Sequence, residues 1–203
     1  MLLDSGAAIE GTSGSYKWTT LHQAASGGQI EVVKVLLDRG VAVDAMTNDG
    51  TALCWAASSG HIEAVKVLLD RGATIDATTN QMWAALHFAA QFGYVEAVKM
   101  LLDRGATIDA TTNTKKTALH CASRGIHGRS RIDTVKVLLD RGAIVDATDG
   151  EGWTALHQAA SGGLIEVVKM LLDRGASSDA TTNTAVPRRP HFIEQLLAVI
   201  SRL

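Results

Sequence analysis

The chain has 203 residues, of which 46% are hydrophobic and 4% aromatic, and its 19 lysines and arginines stand against 21 aspartates and glutamates. The net charge of −2 provides no overall field that would attract nucleic acid or an anionic membrane. Because its apolar runs are far too short to span a bilayer and its N-terminus shows no secretion-signal pattern, we expect a soluble protein of the cytoplasm or nucleus.

A motif close to Thr-Ala-Leu-His occurs five times along the chain. Successive copies lie 32, 33, 33 and 37 residues apart, measured between Leu21, Leu53, Leu86, Leu119 and Leu156. A self-similar unit of about 33 residues is typical of a stacked array, in which each repeat buries its apolar face against its neighbours. The pattern predicts helix pairs at residues 19–41, 51–73, 84–106, 117–143 and 154–176.

The fifth repeat shows how each pair forms. Thr154 is suited to cap a short helix, which the glycines of Gly162–Gly163 end. A second helix follows, with apolar residues such as Val168 and Leu171 at helical spacing, and Gly175 terminates it. Alanines in the first helix leave little volume between the two helices, so we expect close packing.

These residues resemble the ankyrin repeat, a unit of a β-turn and two helices whose marker is Thr-Pro-Leu-His-x-Ala. The resemblance extends to Gly-x-x-Glu-Val-Val-Lys-x-Leu-Leu-Asp-x-Gly-Ala, seen at residues 28–41, 60–73, 93–106 and 163–176. This chain has Ala or Thr in place of the family's Pro, and aspartates where the family often has Asn, at positions 44, 76, 109, 146 and 179. The resemblance implies an all-α ankyrin-repeat solenoid forming one domain over residues 1–203.

The irregular segments lie at the ends and in repeat four. Leu2–Ala7 matches the end of a repeat whose beginning is missing, so we expect the first face of the array to be incompletely capped. The same feature makes the chain a candidate fragment of a longer protein. Repeat two has lost one residue before Thr51, and repeat four has gained four within Arg124–Arg131. After Pro187–Pro190, an amphipathic pattern predicts a helix at about 190–203 that caps the last repeat.

Four histidines share the last position of the repeated motif: His22, His87, His120 and His157. Equivalent residues of adjacent repeats lie about 10 Å apart, whereas zinc ligands lie about 2 Å from one ion, so we expect no metal site. The resemblance implies that each histidine ties its helix to the adjoining loop. Cys54 takes this position in repeat two and is predicted to be a small buried residue.

The sequence also lacks the patterns expected of a disulfide, a catalytic site or a nucleotide-binding loop. Cys54 and Cys121 lie two repeats apart, roughly 20 Å, which excludes a disulfide and fits a reducing compartment. No nucleophile, base and orienting residue share one loop, and no Gly-x-x-x-x-Gly-Lys phosphate loop occurs. We therefore expect no enzyme and no cofactor, and we interpret the recurring lysines and Asp-Arg pairs of the second helices as a solvated face.

Aromatic residues concentrate in the middle of the array. The resemblance implies that partner proteins bind the hairpin tips and the exposed face of the first helices, where the residue after the histidine position is Gln23, Trp55, Phe88, Cys121 or Gln158. Repeat three adds Trp83, Gln91, Phe92 and Tyr94. Clustered aromatics predict a binding hot spot. The alternative, that Trp18, Trp83 and Trp153 only pack against neighbouring loops, stays open.

Repeat four also carries a group of basic residues. They are Lys115, Lys116, Arg124, His127, Arg129 and Arg131, with Asp133 as the first acidic residue after them. Such a loop is suited to an acidic or phosphate-bearing partner segment. It is equally compatible with a solvated insertion, because loops accept extra residues at small entropic cost.

Together these features predict a monomeric protein-interaction module that binds a protein of unknown identity across repeats two to four. One alternative is that the chain is the targeting part of a larger enzyme or signalling protein. A third alternative, binding of nucleic acid through repeat four, ranks last because the chain carries a net charge of −2. Such binding would show an affinity that falls steeply with salt.

Overall fold

The computed structural model describes residues 18–124 and 130–178. These residues form helices and turns, without an extended strand in the described ranges and with one isolated bridge between Thr47 and Gly50. The helices are α1 (Thr20–Ser26), α2 (Ile30–Asp38), α3 (Ala52–Ser59), α4 (Ile62–Asp70), α5 (Ala85–Phe92), α6 (Val95–Asp103), α7 (Ala118–Ser123), α8 (Ser130–Asp140), α9 (Ala155–Ser161) and α10 (Ile165–Asp173). The predicted all-α fold of helix pairs is confirmed.

The second helix of each repeat ends in the same hydrogen-bonded turn. In α4, Gly72 lies at φ +85° and its N–H donates to the Leu69 carbonyl at 3.0 Å. The next residue, Ala73, donates to the Leu68 carbonyl at 3.0 Å, which completes a Schellman motif. Glycine is required here because an L side chain at this φ would be strained.

The described residues group into two compact units. Residues 18–89 and 96–107 belong to unit one, in which α1 packs against α3 and α2 against α4. Residues 90–95, 108–124 and 130–178 belong to unit two, in which α7 packs against α9 and α8 against α10. Consecutive helix pairs therefore stack in chain order within each unit. The single-domain organisation stays a prediction.

Small and branched apolar side chains fill the core of each unit. Ala56 and Ala57 in α3 are fully buried, and so is Leu68 in α4. In unit two, Ala159 and Leu171 occupy the corresponding positions with the same burial. Alanines let the two helices of a pair approach closely, and leucines fill the remaining space.

Aspartates in the loops link one repeat to the next. In unit one the Asp44 carboxylate accepts from the Thr74 N–H at 2.9 and 3.1 Å and from its hydroxyl at 2.6 Å, and Asp76 contacts Thr107 in the same way. In unit two Asp109 accepts only from a backbone N–H, that of Ile144 at 3.1 Å. These aspartates therefore serve as inter-repeat acceptors, a role suited to an ionised carboxylate.

The first described helix pair exposes apolar surface that later repeats bury. Val32 in α2 is 48% exposed and Val35 is 45% exposed. The position of Val32 is held in later repeats by Ala64 and Val167, which are 0% and 1% exposed. The predicted truncated repeat at Leu2–Ala7 and the predicted capping helix at about 190–203 lie outside the described residues.

Candidate protein-binding surface

The repeated histidines are structural ties. His120 Nδ1 lies 3.2 Å from the Thr117 backbone N–H and 2.9 Å from the Thr117 hydroxyl, and its Nε2 lies 2.9 Å from the Trp153 carbonyl. His22 makes the equivalent contacts to Thr19 and to the Gly50 carbonyl. Because Nδ1 must accept and Nε2 must donate, each ring is neutral. Burial lowers the pKa of both histidines below the ordinary value, which favours this form.

The two cysteines are free and buried. Cys54 replaces the histidine in repeat two, with its Sγ 3.7 Å from both the Thr51 hydroxyl and the Ala77 carbonyl. Burial raises the pKa of the Cys54 thiol, and it raises the pKa of Cys121 to about 12. Both side chains are therefore protonated thiols, and the predicted buried role of Cys54 is confirmed.

Charged side chains on the second helices pair locally. Lys34 lies 2.7 Å from Glu31 in α2, and Lys99 lies 2.7 Å from Glu96 in α6. Arg71 reaches Asp38 of the preceding repeat at 2.7 Å. All these pairs are exposed, so each contributes at most about 1 kcal/mol. Their arrangement is that of a solvated face.

The described residues contain no cluster of three or more His, Cys, Asp or Glu side chains that would hold a metal ion. Within the same ranges no helix combines the length and hydropathy needed to cross a membrane.

Two aromatic residues of repeat three form a tilted ring contact in unit one. Trp83 precedes α5 and Phe88 lies on it, with ring centroids 5.1 Å apart and planes inclined by 42°. The ring centroid of Trp83 also lies 5.9 Å from that of His87, with the planes inclined by 54°. Both members of the pair are half-buried, so part of each ring faces solvent. Beside Trp83, the side chain of Met82 is 49% exposed.

Trp55 is less accessible to a binding partner than the sequence predicted. Its ring lies against Trp18 with centroids 4.4 Å apart, and both side chains are half-buried. The indole N–H groups of both residues are buried without a hydrogen-bond partner in the described part of the chain. Repeat two is one residue shorter before α3 and has Gly50 where repeat three has Trp83, so Trp55 packs on the tryptophan of the preceding repeat.

Unit two contains the other aromatic residues of the predicted site. Phe92 is the last residue of α5 and is 47% exposed. Its ring centroid lies 6.2 Å from that of Tyr94, which is half-buried, as is Gln91. Phe92 is the most exposed aromatic side chain in the described residues.

The basic residues of repeat four fall on two elements of unit two. Lys115 and Lys116 lie on the hairpin before α7, the first exposed and the second half-buried. Arg124 follows α7 and is exposed, whereas Arg131 on α8 is half-buried, and burial lowers its pKa. Arg129 and His127 lie outside the described residues.

The predicted binding residues are thus divided between the units. Unit one holds Trp55, Trp83 and Phe88, and unit two holds Gln91, Phe92, Tyr94, Lys115, Lys116, Arg124 and Arg131. Sequence reasoning did not predict the pairing of Trp18 with Trp55 or the exposure of Met82. The shortened hairpin of repeat two was the available signal for the first, because it removes the tryptophan that would otherwise precede α3.

The model of a protein family described as ankyrin repeats matches three overlapping segments of the chain, residues 1–80, 21–112 and 86–183. Comparison with curated proteins gives no match. The matched residues include each of the ten helices.

Proposed function

Because the chain belongs to the ankyrin-repeat family, we propose that it is a non-enzymatic interaction module that binds a partner protein on its first helices and hairpin tips. The observation that supports this most strongly is the half-exposed ring contact between Trp83 and Phe88. Aromatic pairs supply large apolar area at low entropic cost, and such residues dominate the binding energy of protein interfaces.

Met82 supports the same surface from the hairpin tip. Its backbone lies at φ +60°, a left-handed conformation that costs a non-glycine residue about 1 to 2 kcal/mol. The corresponding residue of the last hairpin is Gly152, at φ +80°. The methionine at this strained position places a flexible apolar side chain in solvent beside Trp83. Methionine is frequent on surfaces that bind other proteins.

Phe92 and Tyr94 in unit two add apolar area that a partner segment can bury. Because Phe92 is exposed, its removal leaves the core of its unit intact. This separates it from Trp55, whose truncation also removes the contact with Trp18. Phe92 is therefore the cleaner probe of binding among the predicted aromatics.

Affinity capture from the native source, followed by quantitative mass spectrometry, tests this function. The immobilised proteins are the wild-type chain, Phe88→Ala, Phe92→Ala and the control Gln158→Ala, each checked first for an unchanged helical spectrum. We expect one or more proteins to be captured by the wild type and the control and to be depleted with both phenylalanine variants. Equal capture by all four proteins contradicts the proposal.

A further inference from the structure

Repeat four differs from the other repeats at three positions in and beside its first helix. These are the residue before the helix cap and the fourth and seventh residues after it. They are Trp83, Phe88 and Gln91 in repeat three, and Trp153, Gln158 and Ser161 in repeat five. In repeat four they are Lys116, Cys121 and Arg124. Neutral and aromatic side chains are thus replaced by two cations on either side of a small thiol.

The geometry of the fold brings these positions together. In repeat three the first two are in contact, because the rings of Trp83 and Phe88 lie 5.1 Å apart. The second, Cys121, lies on α7, and the third, Arg124, follows three residues later as the residue directly after that helix. Burial raises the pKa of Cys121, and Lys116 and Arg124 both act to lower it, so both cations lie within electrostatic reach of the sulfur. Cys121 itself is only 6% exposed, so the two cations present the charge.

The positive charge has no ion-pair partner among the described residues of unit two. None of Lys115, Lys116 and Arg124 forms an ion pair with a described residue. Asp149 is buried and forms no ion pair with these cations: its Oδ1 accepts from the Glu151 and Trp153 N–H groups at 2.9 Å each, and its Oδ2 accepts from the Gln158 amide. Arg174, in contrast, is paired with Asp140 at 2.5 Å.

On the premise of the interaction function, we propose that the basic surface of Lys115, Lys116 and Arg124 binds carboxylate side chains of an acidic segment in the partner protein. An arginine fork holds a carboxylate through two parallel hydrogen bonds, and lysines add point charges beside it. Because Lys115 and Arg124 are exposed and Lys116 is half-buried, these charges act mainly on association rate and specificity. The aromatic surface, formed by Trp83 and Phe88, and the basic surface thus recognise different chemistry on the partner.

A labelled peptide of alternating glutamate and alanine, titrated with the full chain and followed by fluorescence anisotropy, tests this inference. The matching glutamine–alanine peptide is the negative control. We expect Lys116→Gln combined with Arg124→Gln to weaken binding of the glutamate peptide about tenfold. Binding should also weaken as salt rises from about 50 to about 300 mM, because exposed charges are screened.

The matched control is Lys34→Gln combined with Lys169→Gln, which removes the same charge from lysines paired on their own helices. It should change the affinity less than about twofold. Equal losses from both double variants, or binding of the glutamine peptide as tightly as the glutamate peptide, overturn the inference. So does binding that is restricted to a phosphoserine version of the peptide.

Failure of this inference can be told apart from failure of the interaction function. A partner whose capture depends on Phe88 and not on Lys116 and Arg124 overturns the inference and leaves the function standing. Absence of any specifically captured protein overturns the function, and with it the premise of the inference.

Discussion

Acidification should destabilise the folded protein through its buried histidines. His22 and His120 each accept a backbone N–H at Nδ1, so protonation of the ring removes a helix-capping contact. Burial is the largest effect and lowers the pKa of both from the ordinary value of 6.5. For His120, Asp149 acts to raise the pKa and Lys116 to lower it. The unfolded chain therefore binds protons at a higher pH than the folded chain does.

The sign and size of the effect follow from this difference. Stability is fully present above pH 6.5, where both states are neutral, and is lost as the pH falls towards the lowered folded-state pKa. The loss approaches about 1.4 kcal/mol per pH unit for each histidine. Lowering the pH from about 7 to about 5.5 should thus remove up to about 2.5 kcal/mol through these two residues.

Repeat two supplies the matched control, because Cys54 occupies the histidine position without titrating in this range. His120→Cys copies that arrangement. The free energy of unfolding, measured from urea denaturation by circular dichroism at each pH, should be lower for the variant at pH 7 and fall less on acidification, by about 1 kcal/mol. An unchanged pH dependence in the variant, or a wild type that becomes more stable as the pH falls, would refute the reasoning.

Three further predictions concern stability, each measured as the free energy of unfolding in urea. Val167→Ala should cost about 1 to 3 kcal/mol because the side chain is 1% exposed. Val32→Ala, at the equivalent position but 48% exposed, should cost less than about 0.5 kcal/mol, and equal costs would contradict the burial argument. Lys115→Gly should stabilise the chain by about 0.5 to 1 kcal/mol, because the backbone lies at φ +57°, and a destabilised variant would show that the lysine is not strained. Asp149→Thr should leave stability nearly unchanged, because Thr79 makes the same two backbone contacts in repeat three. Asp149→Ala removes both contacts and should cost about 1 to 3 kcal/mol, so similar losses for the two variants would contradict this prediction.

The sequence predicts the helix pairs because their determinants are local. Each leucine at a step near 33 residues belongs to a cap, a short helix and a glycine turn that lie within one repeat. The contacts that tie each histidine to its loop could be predicted from the family resemblance, since their partners recur at fixed spacing. Local patterns and tertiary packing therefore agree in these elements.

The candidate site is less predictable, because exposure depends on contacts between repeats. Trp55 occupies a position that the repeat geometry exposes, yet a one-residue deletion before α3 lets it pack on Trp18. The strained backbone of Met82 and Lys115 has no signature in residue type, since neither is a turn-forming residue. The basic surface of repeat four becomes apparent only when equivalent positions are compared across repeats.

The most direct test of the interaction function is calorimetric titration of the captured partner into the wild type, Phe88→Ala and Gln158→Ala. Phe88 contacts the ring of Trp83, and Gln158 holds the same position in repeat five. If the aromatic surface anchors the partner, Phe88→Ala should weaken binding by about 2 kcal/mol or more and Gln158→Ala by well under about 1 kcal/mol, with melting temperatures confirming that both variants are folded. Equal losses for the two variants, or no loss for Phe88→Ala, would contradict the account.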